Sequence, residues 1–528
     1  MSTTDLKRPL VGIVLVLALI TAACGGNNED LTEEASSASS SPSNVNDGDS
    51  GNEDNVEGGG VVGDSGGESA DAVAEDLDLP ECPVSAHLEV DGTVEIDFWH
   101  PFVAETEVAM QQLASRFNES QDKIVVTAQA QGSYGELLTK YRESIAFDDL
   151  PAVAIVDSQA FRDMVESESV LPAQSCVEAD EFDLAGIDAS LRGEFSIDGA
   201  LYPAGLLVSA PVLYYNRTAF EAAGLDPDSP PETLAELREA AQTLKDAGVA
   251  SEPLSFRLDS WFVDTWLTGA GVPVVNADNG RIGNATEANL LAPEAFDLYA
   301  LLQQMNQAGL MAAFSSTPGQ FEQYFAFLDP SRVAMLIETS TAATSVAGAL
   351  GGTTDLSTLV EGTTAEGQVE GAAELNLDID VAPLPGLRGP GQVFVSGGGF
   401  YMTQSGTAAE QSAAWEFMKF VNALEQQKLI HLKGSYLPVF DTVANDDEVR
   451  QVWSADTAGQ WLATAYGQLE NIDPNLPGPA IGPFSEYGDI IDYSLDELIL
   501  SGVAPEIVLA DAQDAVTAAL QAYNEADF

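Results

Sequence analysis

Three observations in the sequence predict an α/β protein built of two lobes. Strand-like and helix-like periodicities alternate from Thr93 onward, a second such region begins near Pro211, and the acidic Gly/Ser-rich stretch before them has very little to bury. In the first region, Thr93-Val94-Glu95-Ile96-Asp97-Phe98 alternates apolar and polar as a half-buried strand does. Ala109, Leu113 and Phe117 then recur at helical spacing, with Glu105 and Glu107 placed early enough to favour the helix N-terminus. Ile124-Val125-Val126 reads as a second strand, and Leu138, Tyr141 and Ile145 mark a second helix. The run Ala152-Val153-Ala154-Ile155-Val156 has the composition of a strand buried on both faces of a parallel sheet.

The second region opens with the strand-like Val212-Leu213-Tyr214-Tyr215. Thr233-Leu234-Ala235-Glu236 is a capping box for a helix carrying Leu237, Ala241 and Leu244 on one face and stopping at Gly248. A helical stretch from Leu298 to Met305, strand-like runs at Val333–Ile337 and Ile379–Pro383, and a helix over Ala413–Ala423 follow. The folded part is expected over 81–528, with one lobe at about 93–207 plus 378–425 and the other at about 208–377 plus 426–528.

At the N-terminus, Lys7 and Arg8 precede the apolar run Pro9–Ala23, too short to span a bilayer but suited to a secretory signal. Its end, Ile20-Thr21-Ala22-Ala23-Cys24-Gly25, resembles the bacterial lipoprotein signal. The resemblance implies that residues 1–23 are removed and that Cys24 is acylated; ordinary cleavage after Ala23 is the alternative. Residues 24–80 are rich in Ser, Gly, Asn, Asp and Glu, and no Lys or Arg occurs between Arg8 and Arg116, as expected of a disordered, self-repelling tether. No later stretch reaches the roughly 20 uninterrupted apolar residues of a membrane helix, so membrane attachment is expected only through lipidated Cys24. With Cys24 acylated, two of the three cysteines remain in an oxidising compartment, and a Cys82–Cys176 disulfide is the simplest pairing.

The chain carries 84 acidic against 19 basic residues, a formal charge of −65. Such a field repels nucleic acid and anionic lipid surfaces and keeps a protein soluble where salt screens its self-repulsion, consistent with a saline habitat. The three histidines, His87, His100 and His431, lack metal-ligand spacing. There is no G-x-S-x-G elbow and no phosphate loop. No metal, cofactor or catalytic residue is therefore expected.

In open α/β sheets ligands bind beyond the carboxyl ends of the strands. Phe98 runs into Trp99-His100-Pro101, Val156 into Asp157, and Ile337 into Glu338-Thr339-Ser340. An aromatic plane beside carboxylates suits a sugar, whose C–H face packs on the ring while its hydroxyls donate to Asp or Glu; Trp99 is expected to touch the ligand, with a core position as the alternative, and Asp157 and Glu338 serve equally as solvated loop carboxylates. Further candidates are Ser133-Tyr134, Ser209, the pair Trp261 and Trp266, Gly397-Gly398-Gly399 and Tyr436, with Trp266 the better core residue.

Seven segments, taken in order, resemble the extracellular solute-binding proteins that include maltose-binding protein, and most closely the glycerol-3-phosphate-binding members. They are Phe98-Trp99-His100, Gly132-Ser133-Tyr134, Pro211–Asn216, Ala223–Pro227, Ser396–Gly399, Trp415-Glu416-Phe417 and Gly434–Pro438. The resemblance implies a periplasmic-binding-protein (Venus flytrap) fold closing on a small solute, with an ABC permease and cytoplasmic ATPase as partners. It implies binding residues at Tyr134, Ser209, Trp261, Gly398 and Tyr436, and cleft-edge positions for Trp99 and Asp157. The arginine with which the glycerol-3-phosphate binders grip phosphate falls on Pro483, and no Arg or Lys follows Asp456. The expected solute is therefore a carbohydrate, polyol or glycerophosphodiester without net negative charge, bound by a monomer anchored outside the cell membrane. A secreted polysaccharide-active enzyme and a sensory ligand-binding subunit are the alternatives.

Overall fold

The computed structural model describes residues 79–526 except 148, 185, 188, 198, 317–321, 352–376, 471 and 474. The expected signal segment, Cys24 and the expected tether up to residue 78 lie outside the described residues. Two sheets organise the remainder, and what joins them decides where a ligand can sit.

The first sheet is built on β1 (Val94–His100), which pairs in parallel with β2 (Ile124–Ala130) and with β3 (Val153–Asp157). On β1, Val94, Ile96 and Phe98 are buried while Glu95 and Asp97 face solvent, so the period-2 pattern sets the strand's orientation. The helix Ala104–Ser120 lays Ala109, Leu113 and Phe117 on this sheet, and the helix Tyr134–Ile145 is capped by Ser133, whose hydroxyl accepts from the Glu136 N–H at 3.2 Å. Two-residue strands β4 (Val170–Leu171), β5 (Ser196–Ile197) and β6 (Ala200–Leu201) follow, and then β7 (Gly205–Ser209).

The chain next crosses between sheets. β7 belongs to the first sheet, Ala210 intervenes, and β8 (Pro211–Asn216) is already in the second. There β9 (Leu254–Leu258) pairs in parallel with β10 (Met311–Ser315) and with β11 (Met335–Thr339), while β8 runs antiparallel to β11 and to β12 (Ile379–Pro383). The return crossing ends in β13 (Ser396–Thr403), antiparallel to β3, β4 and β7 in the first sheet. Ile379–Pro383 thus belongs to the second sheet, so the return lies at 384–395 rather than near 378. The helix Leu424–Gly434 packs on Ala104–Ser120 in the first lobe, and the helix Thr457–Leu469 packs on β12 in the second, so the third crossing falls between them rather than at 425–426. The helices Phe484–Ile499 and Pro505–Glu525 cover the second lobe. The fold is a mixed α/β architecture of two lobes joined by crossing segments.

Capping agrees with the sequence pattern at Thr233, which makes both arms of its box with Glu236. Trp266 is core: it is 2% exposed and its indole N–H donates to the Pro385 carbonyl at 2.9 Å. Cys82 and Cys176 are bonded, with Cα atoms 5.0 Å apart, tying the segment before β1 to the helix Ala173–Ala179 across 94 residues of chain. Closing a loop of that length restricts the unfolded chain, worth about 3–5 kcal/mol in the chain-entropy model. Chemical unfolding with and without reductant is expected to show a loss of that size, and an unchanged unfolding midpoint after verified reduction contradicts it.

Candidate functional site

Three strand ends meet at one cleft of about 1160 Å³. From the first sheet, β3 ends at Asp157, whose carboxylate accepts from the Gln159 N–H at 2.8 Å and so caps the turn Ser158–Ala160. From the second, β9 runs through Arg257 and Leu258 into Asp259, which caps the helix Ser260–Gly269 by accepting from the Trp261 N–H at 3.0 Å. β11 delivers Glu338 and Thr339. Both lobes therefore contribute walls, and the capping bonds hold the carboxylates in place.

Several predicted positions lie on this cleft: Tyr134, Asp157, Ser209, Trp261, Glu338 and Tyr436. The Tyr134 and Tyr436 hydroxyls are 2.9 Å apart, and Phe102 packs edge-on against Tyr134. Tyr436 is only 3% exposed, so its ring is as much core as wall. Its turn, with Ser435 at φ 59°, is held by His431, whose Nδ1 lies 2.7 Å from the Tyr436 carbonyl. Trp453 donates its indole N–H to His431 Nε2 at 2.7 Å, which makes Nδ1 the donor to that carbonyl. Burial pushes His431 down to about 4, so the ring stays neutral. Glu338 is 1% exposed and already accepts from Gln323 Nε2 at 3.0 Å and from the Thr339 N–H at 2.9 Å.

Two predicted positions lie elsewhere. Trp99 is 7% exposed and packs in a separate core with Leu137, Tyr141 and Phe161, where the Lys140 ammonium stands 3.8 Å over its ring. Strand alternation explains this: Phe98 and Trp99 point to opposite faces of β1, and each face is covered. Gly398 is behind the cleft wall; a Cβ there would come within 2.8 Å of the Tyr134 hydroxyl, so the glycine lets that ring lie on β13. Its neighbour Gly397, at φ 126°, faces the cleft instead.

Sequence reasoning passed over Arg257, Asp259, Tyr324 and Asp492, all of which line the cleft. The strand-end rule applied to Leu254–Leu258 points to Arg257 and Asp259. Asp492 sits within the helix Phe484–Ile499 and carries no local signal. Arg257 is ion-paired to Asp259 at 3.2 Å and approaches Glu338 at 3.9 Å. Burial alone would lower it, but the neighbouring carboxylates hold its pKa above the usual arginine value. Burial pushes Asp157 up to about 7, helped by the Asp259 charge. Burial likewise raises Asp492 to about 8, with Asp259 again adding to the rise. Lined by seven carboxyl groups and two cations, Arg257 and Lys140, this cleft favours hydroxyl or ammonium donors over anions. Among the described residues no group of three or more His, Cys, Asp or Glu is placed to hold a metal ion, and no helix is long and apolar enough to cross a membrane.

A two-lobed α/β chain with a large polar and aromatic cleft between its sheets defines a protein that encloses small solutes. Residues 112–458 match the family model for bacterial extracellular solute-binding proteins, and the chain belongs to that family. It is 25% identical over 442 residues to the sn-glycerol-3-phosphate-binding periplasmic protein UgpB of Pectobacterium atrosepticum, an alignment covering 82% of this chain and 93% of the relative. Two solved structures share the fold. The cyclic α-maltosyl-1,6-maltose binding protein of Arthrobacter globiformis has a TM-score of 0.61 and 21% identity, covering 82% of this chain and all of that one. UgpB of Mycobacterium tuberculosis in complex with glycerophosphocholine has a TM-score of 0.62 and 18% identity, covering 82% and 99%.

The raised Asp157 has a testable consequence. A carboxyl whose native pKa exceeds its unfolded value of 3.8 holds its proton longer when folded, so its stability contribution is complete below about 3.8 and is lost as pH rises to about 7. Melting scans from pH 4 to 8 are expected to show a smaller decline for Asp157→Asn than for the parent. Parallel curves would refute the assignment.

Proposed function

We propose that this chain is the solute-capturing component of an ABC importer, acting without catalysis. Its solute is uncharged or zwitterionic and rich in hydroxyl or ammonium donors: a carbohydrate, a polyol or a glycerophosphodiester. The observation that carries this reading is the interlobe cleft, where carboxylates supplied by both sheets stand beside Tyr134, Trp261 and Tyr324. Solute that contacts both lobes binds their closed arrangement better than the open one, so it shifts the population that a permease recognises.

The named relatives bind glycerol 3-phosphate, cyclic α-maltosyl-1,6-maltose and glycerophosphocholine. Among these, free glycerol 3-phosphate fits this cleft least well. Arg257 is already committed to Asp259 and Glu338, and an ionised phosphate buried without paired donors is costly. Pro483, which the family resemblance sets in the place of the phosphate-gripping arginine, precedes Phe484 and Ser485 on the cleft wall and offers neither charge nor N–H.

Thermal-shift and calorimetric titration with sugars, polyols, glycerophosphocholine and glycerol 3-phosphate tests the reading. A bound solute at about 100 times its dissociation constant adds about 2.7 kcal/mol of stability. One of the neutral or zwitterionic solutes is expected to bind, and Trp261→Ala is expected to weaken it about tenfold or more, as loss of an aromatic anchor does. Micromolar binding of glycerol 3-phosphate overturns the charge argument, and a blank across the panel overturns the solute class.

The lipid anchor belongs to the same proposal, supported by Ala22-Ala23-Cys24 at the end of the apolar run. Cys24→Ala is expected to move the protein from the membrane fraction to the soluble fraction. Unchanged membrane retention removes the anchor.

A further inference from the structure

Away from the residues lining the cleft, charged side chains of the first lobe grip a loop of the second. Arg162 donates from Nη2 to the Gly280 carbonyl at 2.7 Å and from Nη1 to Asn284 Oδ1 at 2.9 Å. In the opposite direction Arg281 pairs with the Glu194 carboxylate and donates to the Glu194 carbonyl at 2.7 Å. At the cleft wall itself, Gln159 of the first lobe adds a bond to Asp264 in the helix Ser260–Gly269 at 2.8 Å.

The gripped loop has an unusual backbone. Ala277, Asp278 and Asn279 all have φ between 53° and 58°, and Gly280 follows at 78°, so four consecutive residues occupy the left-handed region that side chains bearing a Cβ rarely enter. The strain is held from within the second lobe. Asn279 accepts from the Val274 N–H at 2.9 Å and donates to the Pro477 carbonyl at 3.0 Å, and Arg281 Nε donates to the Gly478 carbonyl at 2.8 Å. A Cβ on Gly280 would lie 2.2 Å from the Ala480 carbonyl oxygen. This conformation turns the Gly280 carbonyl and the Arg281 guanidinium toward the first lobe.

We propose that Arg162, Glu194 and Arg281 form a latch between the lobes that sets the balance between closed and open forms independently of the solute, making them positioning residues for capture. A hinge motion that parts the lobes at this contact breaks these bonds. The half-buried ion pair suits a reversible latch, because its loss of solvent pushes Glu194 up and Arg281 down. Both charges recover hydration when the lobes part, so the contact holds geometry without making opening prohibitive. Removing one partner alone leaves an uncompensated charge that only opening can solvate.

The test is the interlobe distance distribution between spin labels on cysteines introduced at the exposed Val108 and Ile507, in the full chain bearing Cys24→Ala, without solute. Glu194→Ala and Arg162→Ala are each expected to shift the distribution to longer distances. Arg281→Ala added to Glu194→Ala is expected to shift it less than the sum of the single changes, and Glu194→Gln to fall between parent and Ala. Glycerophosphocholine affinity, where the parent binds it, is expected to fall about tenfold in the Ala variants. A distribution unchanged in both Ala variants overturns the latch. If Glu194→Ala does not fold, Arg162→Ala decides alone, since it leaves the ion pair intact. Absence of solute binding by the parent would count against the importer reading, while the distances still decide the latch.

Discussion

Everything at the cleft depends on one covalent constraint: the chain passes directly from β7 in the first sheet to β8 in the second with Ala210 alone between them. Because the step is so short, the two sheets lie close together at that point. The return from β12 to β13 adds a second tie. Ser209 and Ser396, next to these crossings, line the cleft, and the Ser396 hydroxyl donates to the Ser209 carbonyl at 2.9 Å. A ligand site between such sheets is what strand-end geometry prescribes. Motion of one lobe against the other must be taken up at these two crossings and at the third, between the helices Leu424–Gly434 and Thr457–Leu469.

That geometry brings acidic groups together. Asp157 arrives from the first lobe, and Asp259, Glu338 and Asp492 from the second. In isolation each would remain ionised, but burial beside like charges makes ionisation costly, and the protein answers in two ways. Asp157 and Asp492 have raised pKa values, and Arg257 is placed within reach of Asp259 and Glu338. A solute bringing several O–H or N–H donors completes this arrangement, whereas one bringing acceptors and negative charge competes with it. The strongly acidic surface acts in the same direction at longer range.

The Glu194–Arg281 ion pair between the lobes, with the Arg162 bonds beside it, sets the same trade between burial and charge at a contact that the proposed latch uses for motion rather than recognition. An apolar interface there would favour one fixed arrangement, because separating it exposes greasy surface. Guanidinium and carboxylate groups lose hydration when buried and regain it when exposed, so the two arrangements differ less in free energy. A strained loop braced within one lobe and gripped by the other fits a protein that must both hold and release its solute.

Much of this was legible in the chain. Alternation at Val94–Phe98, helical spacing at Ala109–Phe117, the capping box at Thr233 and the apolar run before Asp157 are local patterns whose physical causes act within a few residues, and β1, β3 and the helices formed where those patterns stand. Asp157 and Glu338 were reachable because a carboxylate at a strand's C-terminal end needs no knowledge of its neighbours. Trp99 was not. Which face of β1 carries the cleft depends on the helix packed over it, and that helix buries Trp99 in a core of its own. Arg257 was hidden for a related reason: an arginine near a strand end is unremarkable until Asp259 and Glu338, one of them some 80 residues away in sequence, are folded around it. Asp492, Arg162, Glu194 and Arg281 carry no periodic or capping signal, and their roles come from partners distant in sequence. The sequence by itself determined the elements, the strand ends and the acidic field, because these follow from side-chain period and composition; only the tertiary structure decided which faces meet, which charges are buried, and where one lobe holds the other, because these depend on distances that no local pattern encodes.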